Sequence, residues 1–125
     1  MQNWLQWLRT AQVSNGSKRI VVIGGGAASI EILLAMHYKL CHTTSIHAKF
    51  TLVCANQTIL SSHNEHVRAF FQHHLRTLGI TIISGKHVIS INRHQLMLED
   101  HTTLGYDFSA WAINVAHKPD RQKVD

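Results

Sequence analysis

Four β-branched apolar residues in a row, Ile20-Val21-Val22-Ile23, form the most concentrated apolar run of the chain. Such a run reads as a strand buried on both faces. Three glycines follow, Gly24-Gly25-Gly26, and residues 27–40 then place apolar side chains at helical spacing. Residues 41–49 are polar and irregular, and Phe50-Thr51-Leu52-Val53-Cys54 reads as a second strand. Ser62 is the expected N-cap of the next helix, with Glu65 three residues later as in a capping box. That helix runs to about Leu78, burying Val67, Phe70, Phe71, Leu75 and Leu78, and Gly79 ends it as a C′ residue. Ile80-Thr81-Ile82-Ile83 is a third strand, turned by Ser84-Gly85.

From His87 the period shortens. Val88-Ile89-Ser90-Ile91, Gln95-Leu96-Met97-Leu98 and Thr102-Thr103-Leu104 predict a meander of short strands. Its turns fall at Asn92-Arg93-His94 and around Glu99-Asp100-His101. The second is expected to be strained or wide, because His101 stands where a hairpin favours glycine. Residues 107–115, with Phe108, Trp111, Ile113 and Val115, predict a last strand returning to the sheet. At the other end Trp4, Leu5, Trp7, Leu8 and Ala11 make an amphipathic helix too short to stand alone, and Ser14-Asn15-Gly16-Ser17 is a linker. A helix that starts abruptly before such a linker suggests a segment of a longer protein.

Strand, glycine turn and helix are the opening half of a dinucleotide-binding βαβ unit. Gly24 lets the chain reverse where a Cβ would clash, and Gly26 clears space for a pyrophosphate to approach the backbone. The first helical N–H groups have no intrahelical acceptor and carry the positive end of the helix dipole. Ser29 stands in the third glycine position, where helix and strand pack closely. The fold expected is α/β, a Rossmann-like parallel sheet with helices on one face and a three-stranded antiparallel β-meander on the other.

Composition narrows the function classes. A chain of 125 residues with 45% hydrophobic content and one proline makes a single folded core. Its net charge of +5 suits an anionic ligand, but Lys and Arg are scattered without an aromatic platform, which argues against nucleic acid. Cys41 and Cys54 are too isolated for a disulfide scaffold and fit a reducing cytoplasm; Cys41 is expected as a small buried hydrophobe. No apolar run approaches the ~18 residues of a membrane span, and the start lacks a signal-peptide pattern. Among the eleven histidines, His63, His66 and His73 share a helix face, yet no Cys, Asp or Glu completes a metal set, so none is expected. No Ser-His-Asp or paired-carboxylate arrangement is present either, and no catalytic residue is assigned.

The residues 20–31, Phe50-Thr51-Leu52-Val53, Leu78-Gly79-Ile80-Thr81-Ile82, Leu98-Glu99-Asp100, Tyr106-Asp107 and Trp111-Ala112 together resemble the NAD(P)H-binding domain of the FAD-dependent pyridine nucleotide-disulfide oxidoreductase superfamily. Within it the resemblance is to type II NADH dehydrogenase-like proteins. It implies a nicotinamide-binding domain over residues 18–116, an N-terminal helix and linker over 1–17, and a tail over 117–125 leading toward a flavin domain outside this chain. In that family NAD(P)H gives hydride to a flavin, which reduces a quinone or another acceptor; the chain alone is expected to be inactive. The implied partners are NADH (NADPH less so), the FAD domain of the same polypeptide and no nucleic acid. The implied place is cytoplasmic, or peripheral to a membrane in the whole protein.

The candidate cofactor-binding residues are Gly24, Gly25, Gly26, Ala27, Ala28, Ser29, Glu31, Cys54, Asn56, Val88 and Asn114. Glu31 matches the family glutamate near the nicotinamide end, or is a carboxylate favoured by the helix dipole. Three residues depart from the family pattern: Cys54 replaces the ribose-binding acid, Asn114 a glycine and His117 a proline. With Cys54, Ala55, Asn56 and Gln57 all neutral, a modest preference for NADH follows, and Cys54→Glu is expected to increase it. The departures also leave a second possibility, a non-catalytic scaffold or assembly domain with a decayed site. A methyltransferase is disfavoured because no acid precedes the glycine loop.

Overall fold

The computed structural model describes residues 4–13 and 17–112. The elements in order are α1 (Trp4–Val13), β1 (Lys18–Ile23), α2 (Ala27–Thr43), β2 (Ala48–Cys54), α3 (Glu65–Thr77), β3 (Thr81–Ser84), β4 (Val88–Ile91), β5 (Gln95–Leu98), β6 (Thr103–Gly105) and β7 (Phe108–Trp111). Four strands form a parallel sheet in the order β3-β2-β1-β7, and β4-β5-β6 form a separate antiparallel sheet. β1 is therefore central. The chain steps outward from it to β2 and β3, then returns to its other side as β7. Strand order reverses at β1, so the crevice beyond its C-terminal end is the topological switch point where such sheets bind ligands.

Side-chain alternation along the central strands separates two cores. Ile20 and Val22 of β1 and Phe50, Leu52 and Cys54 of β2 face the helices, where they meet Leu33, Leu40, Leu75 and Phe108. Val21 and Val53 face the meander and meet Leu96, Leu98 and Tyr106. Helices on one face and a meander on the other are thus confirmed. The short α1 is held by an aromatic cluster: Trp4 stacks on Trp7 at 5.5 Å, and both rings contact Phe108. That contact supplies the stability a ten-residue helix lacks on its own.

Several boundaries differ from expectation. α2 continues to Thr43 because nothing in His42 or Thr43 breaks a helix, and β2 begins at Ala48 because Lys18 and Arg19 of β1 pair with Ala48 and Lys49. Cys41 consequently lies on the exposed side of that helix, while Leu40 takes the inward position. α3 is capped by Asn64, whose Oδ1 accepts the Val67 N–H at 3.0 Å, and Ser62 has no capping role. Glu65 is then the first helical residue, and its charge complements the dipole. Phe70 is 61% exposed rather than buried; it stands on the outer side of α3, edge-on to Phe71 and stacked on His74. Residues 113–115 of the expected last strand, and residues 14–16 of the linker, lie outside the described residues.

The second meander turn shows the strain that its sequence foretells. Leu98 accepts the His101 N–H at 2.8 Å and donates to Thr102 O at 2.8 Å, closing a three-residue loop with His101 at φ +68°. That left-handed position favours glycine, although histidine occupies it more readily than most residues do.

Candidate nucleotide-binding site at the glycine turn

The glycine turn leaves β1 at the switch point, and its three glycines have three different reasons to be glycine. Gly24 has φ +133°, and a Cβ there would fall inside 3.0 Å of Ser29 Oγ and 2.9 Å from Ala112 O. Ser29 is 1% exposed, so it is the close-packing residue that its place in the motif suggests. At Gly25 an added Cβ would fall inside 3.0 Å of Cys54 Sγ. Gly26 is the contrast: its φ is −89°, and a Cβ there would meet nothing among the described residues within 4 Å. Packing gives no reason for a missing side chain at position 26. The open space above it is what a ligand approaching the backbone requires.

Gly26 is also the N-cap of α2, and no side chain caps that helix. The N–H groups that open α2, at Ala27 and Ala28, lie on exposed residues and are suited to an anion such as a pyrophosphate. The turn itself is well anchored. Gly24 N–H donates to Val53 O at 2.8 Å, Leu60 N–H donates to Gly25 O at 2.7 Å, and Ala112 N–H donates to Ile23 O at 3.2 Å. Leu60 holds its position at φ +53° while buried with Ile59 in the helix-side core. These two residues, in an otherwise polar connection after β2, were not singled out from the sequence.

Beside the turn is a cavity of about 260 Å³ lined by Ile23, Gly24, Gly25, Val53, Cys54, Ala55, Asn56, Lys86, His87, Val88 and Trp111. Five of the sequence-derived candidates, Gly24, Gly25, Cys54, Asn56 and Val88, thus share one pocket. Glu31 is exposed on α2 and does not line it. Asn114, His117 and Pro119 lie outside the described residues. Cys54 is the pocket floor: it is 1% exposed, and its thiol donates inward to the carbonyls of Asn56 and Thr58, each at 3.5 Å. Burial raises its pKa above the usual thiol value, so it stays protonated at neutral pH. Ala55, Asn56 and Gln57 are exposed at this end, and Asn56 Nδ2 donates to Ser61 Oγ at 3.0 Å.

Lys86, His87 and Trp111 were not foreseen as site residues. Parallel pairing of Cys54 with Ser84 carries the chain after β3 to the end of β2. There Gly85 N–H donates to Asn56 O at 2.7 Å and Lys86 N–H to Cys54 O at 3.3 Å. Lys86 Nζ binds Asp100 Oδ2 at 2.6 Å. That bond, with help from the Thr102 N–H, holds the Asp100 carboxyl well below the usual carboxylate range, and it raises the Lys86 ammonium above its ordinary value. Among the described residues, a wider cleft of about 770 Å³ between the β4–β5 turn and β7 shares only Trp111 with this pocket and contains none of the predicted site residues. Among the described residues no three His, Cys, Asp or Glu side chains come together as a metal set, and no helix is long and apolar enough to cross a membrane.

Comparison with known proteins places this architecture. A curated relative from Solanum tuberosum, "External alternative NAD(P)H-ubiquinone oxidoreductase B1, mitochondrial", is 22% identical over 111 residues, which cover 79% of this chain and 19% of that protein. The chain therefore spans about a fifth of that relative's length. NDH2 from Plasmodium falciparum in complex with NADH superposes with a TM-score of 0.77 at 16% identity, over 89% of this chain and 27% of that one. The water-forming NADH oxidase of Lactobacillus brevis, bound to NADH, gives 0.67 at 20% identity, over 90% and 24% of the two chains. The sequence profile of the pyridine nucleotide-disulphide oxidoreductases matches residues 5–123. With that match over nearly its whole length, the chain belongs to the pyridine nucleotide-disulphide oxidoreductase family.

Proposed function

We propose that this chain is the NAD(P)H-binding domain of a flavin-dependent oxidoreductase of the NADH dehydrogenase type, with the nucleotide domain over residues 18–116 and the flavin held by polypeptide outside it. The observation that carries the reading is Gly26, bare of side chain with open space above it at an uncapped helix start. The residues fit the cofactor as follows. The backbone of 24–26 and the N–H groups of Ala27 and Ala28 hold the pyrophosphate. Asn56 offers the ribose one donor and one acceptor, and Val88 gives an apolar wall to the base. Glu31 and Asn114 belong to the nicotinamide end. When bound, the nicotinamide supplies a hydride to the flavin; the chain's own residues bind and orient it, and none is assigned a chemical step.

NADH is the preferred form, because the exposed groups at the end of β2 are neutral and, among the described residues, a 2′-phosphate there meets no free cation. An NADPH-bound oxidase among the structural neighbours was obtained from an NADH enzyme by changes that remove an acid and introduce arginines; residues 54–57 have neither. A modest preference of about 1 kcal/mol follows from one neutral hydrogen bond. Two free cysteines suit a reducing compartment, and we place the chain in one. The potato relative is mitochondrial by its name.

The test is Gly26→Asn. Asparagine is among the best N-cap residues, so α2 keeps or gains stability, while the new side chain occupies the space reserved for the pyrophosphate. Calorimetric titration is expected to show at least a tenfold loss of NADH and ADP-ribose affinity with the melting temperature unchanged or raised. Unchanged affinity would remove the pyrophosphate from this turn. The second reading, a non-catalytic scaffold, is favoured by the inward-turned Cys54, which leaves the ribose without a carboxylate; millimolar or weaker binding of NADH, NADPH and ADP-ribose alike to the folded wild-type chain would favour it over the cofactor-binding reading.

A further inference from the structure

Among the described residues lining the glycine-turn pocket, Lys86 is the one Lys or Arg. Its backbone is pinned to the end of β2 by the bond to Cys54 O at 3.3 Å, so its side chain starts from the ribose end of the pocket. Yet the ammonium is engaged elsewhere, by Asp100 Oδ2 at 2.6 Å. Asp100 is itself held in place, because its Oδ1 accepts the Thr102 N–H at 3.0 Å within the β5–β6 turn. Glu99 of the same turn accepts the His87 N–H at 2.8 Å and adds a second negative charge to this rim.

We propose that the Lys86–Asp100 pair decides which dinucleotide the site accepts: Asp100 withholds the pocket's cation from a 2′-phosphate and so keeps the site for the unphosphorylated adenosine ribose. The inference rests on the nucleotide-site reading above. It assigns specificity to two residues that come from the β3–β4 connection and the β5–β6 turn, not from the end of β2. The physics is competition for one cation. An ammonium whose charge is offset by a carboxylate at 2.6 Å attracts a second anion less strongly, and a 2′-phosphate entering beside Asp100 would also face its charge. Without the carboxylate charge, the same lysine is a compact point charge on a flexible stem, free to meet a phosphate. Side chains about two-fifths exposed, 39% for each partner, leave room for that movement and also screen its strength.

The experiment is calorimetric titration of the full chain with ADP-ribose and 2′-phospho-ADP-ribose, which differ only in the group at issue. Asp100→Asn keeps the Oδ1 acceptor for Thr102 while deleting the charge, and Asp100→Ser serves if that variant does not fold. Either is expected to tighten 2′-phospho-ADP-ribose about tenfold while ADP-ribose changes less than about twofold. Adding Lys86→Gln is expected to abolish the gain. Equal changes for both ligands, or a gain that survives Lys86→Gln, would overturn the proposal and leave the nucleotide reading standing. Failure of wild type and variants to bind either ligand would overturn both.

Discussion

One methyl group added at Gly25 puts a carbon inside 3.0 Å of Cys54 Sγ and 3.2 Å from Cys54 Cβ. Optimal carbon contacts lie at about 3.5–4.0 Å, so something must move. Neither side yields easily. Gly25 O is tied to Leu60 N–H at 2.7 Å, and Cys54 is buried in the helix-side core with its backbone paired to Ser84 of β3. Overpacking of this kind costs about 2 kcal/mol. Cys54→Ala alone removes a buried sulfur and costs about 1 kcal/mol. In the double variant the sulfur is gone and only the 3.2 Å approach remains, which a shift of a few tenths of an ångström relieves. The double variant is therefore expected to cost about 1 kcal/mol, against about 3 if the two changes were independent, a coupling of about 2 kcal/mol. Urea titration followed by tryptophan fluorescence reads this directly, since Trp7 is buried beside β7. Melting points should fall by about 4 °C per kcal/mol for a domain of this size. Additive losses would show that Cys54 does not sit beneath the turn, and the account of the pocket floor would fail. The same geometry revises the expectation for Cys54→Glu: its carboxylate would start from a buried position under Gly25, so folding is expected to suffer before ribose recognition can improve.

Asn64→Ala should cost about 1 kcal/mol in a denaturant titration, and Ser62→Ala almost nothing, because only Asn64 accepts a helix N–H; equal effects would return the cap to Ser62. His101→Gly is expected to raise stability by about 0.5–1 kcal/mol, since φ +68° is strained for histidine and free for glycine; a lower melting temperature would mean the turn needs the side chain. The Lys86–Asp100 pair predicts a pH signature. Asp100, lowered in the folded chain, contributes stability that is full above its usual 3.8 and lost as pH falls through its lower folded value. Lys86, raised, contributes stability that is full below its usual 10.5 and lost as pH rises through its higher folded value. The stability difference between wild type and Asp100→Asn should be level at neutral pH and shrink at both extremes; a difference that grows in acid would contradict the pairing.

β1 is a β-branched run and the turn after it is three glycines, so each declares itself within a few residues, and the meander shows as short apolar runs at close spacing. The face that Cys54 takes was half legible: Phe50, Leu52 and Cys54 share a side of β2 by alternation. Which side carries the helices depends on α2 and α3 packing there. The misplaced cap is a local ambiguity of another kind, two good capping residues two positions apart, resolved by where the helix begins. Phe70 was assigned inward on hydrophobicity alone, while the face that packs is set by Leu75, the buried residue of α3.

The sequence by itself determined the buried first strand and the glycine turn, because these depend on steric rules that act between near neighbours, and the order and spacing of its motifs carried the resemblance to the family. Tertiary structure decided who else stands in the pocket. β2 and β3 pair in parallel with Cys54 opposite Ser84, and only that register brings Lys86 to the end of β2. The antiparallel pairing of β4 with β5 then returns the chain so that Asp100 meets Lys86. A parallel ladder joins residues far apart in the chain, and no local pattern encodes its register. The residues proposed here to choose between dinucleotides are set by that ladder.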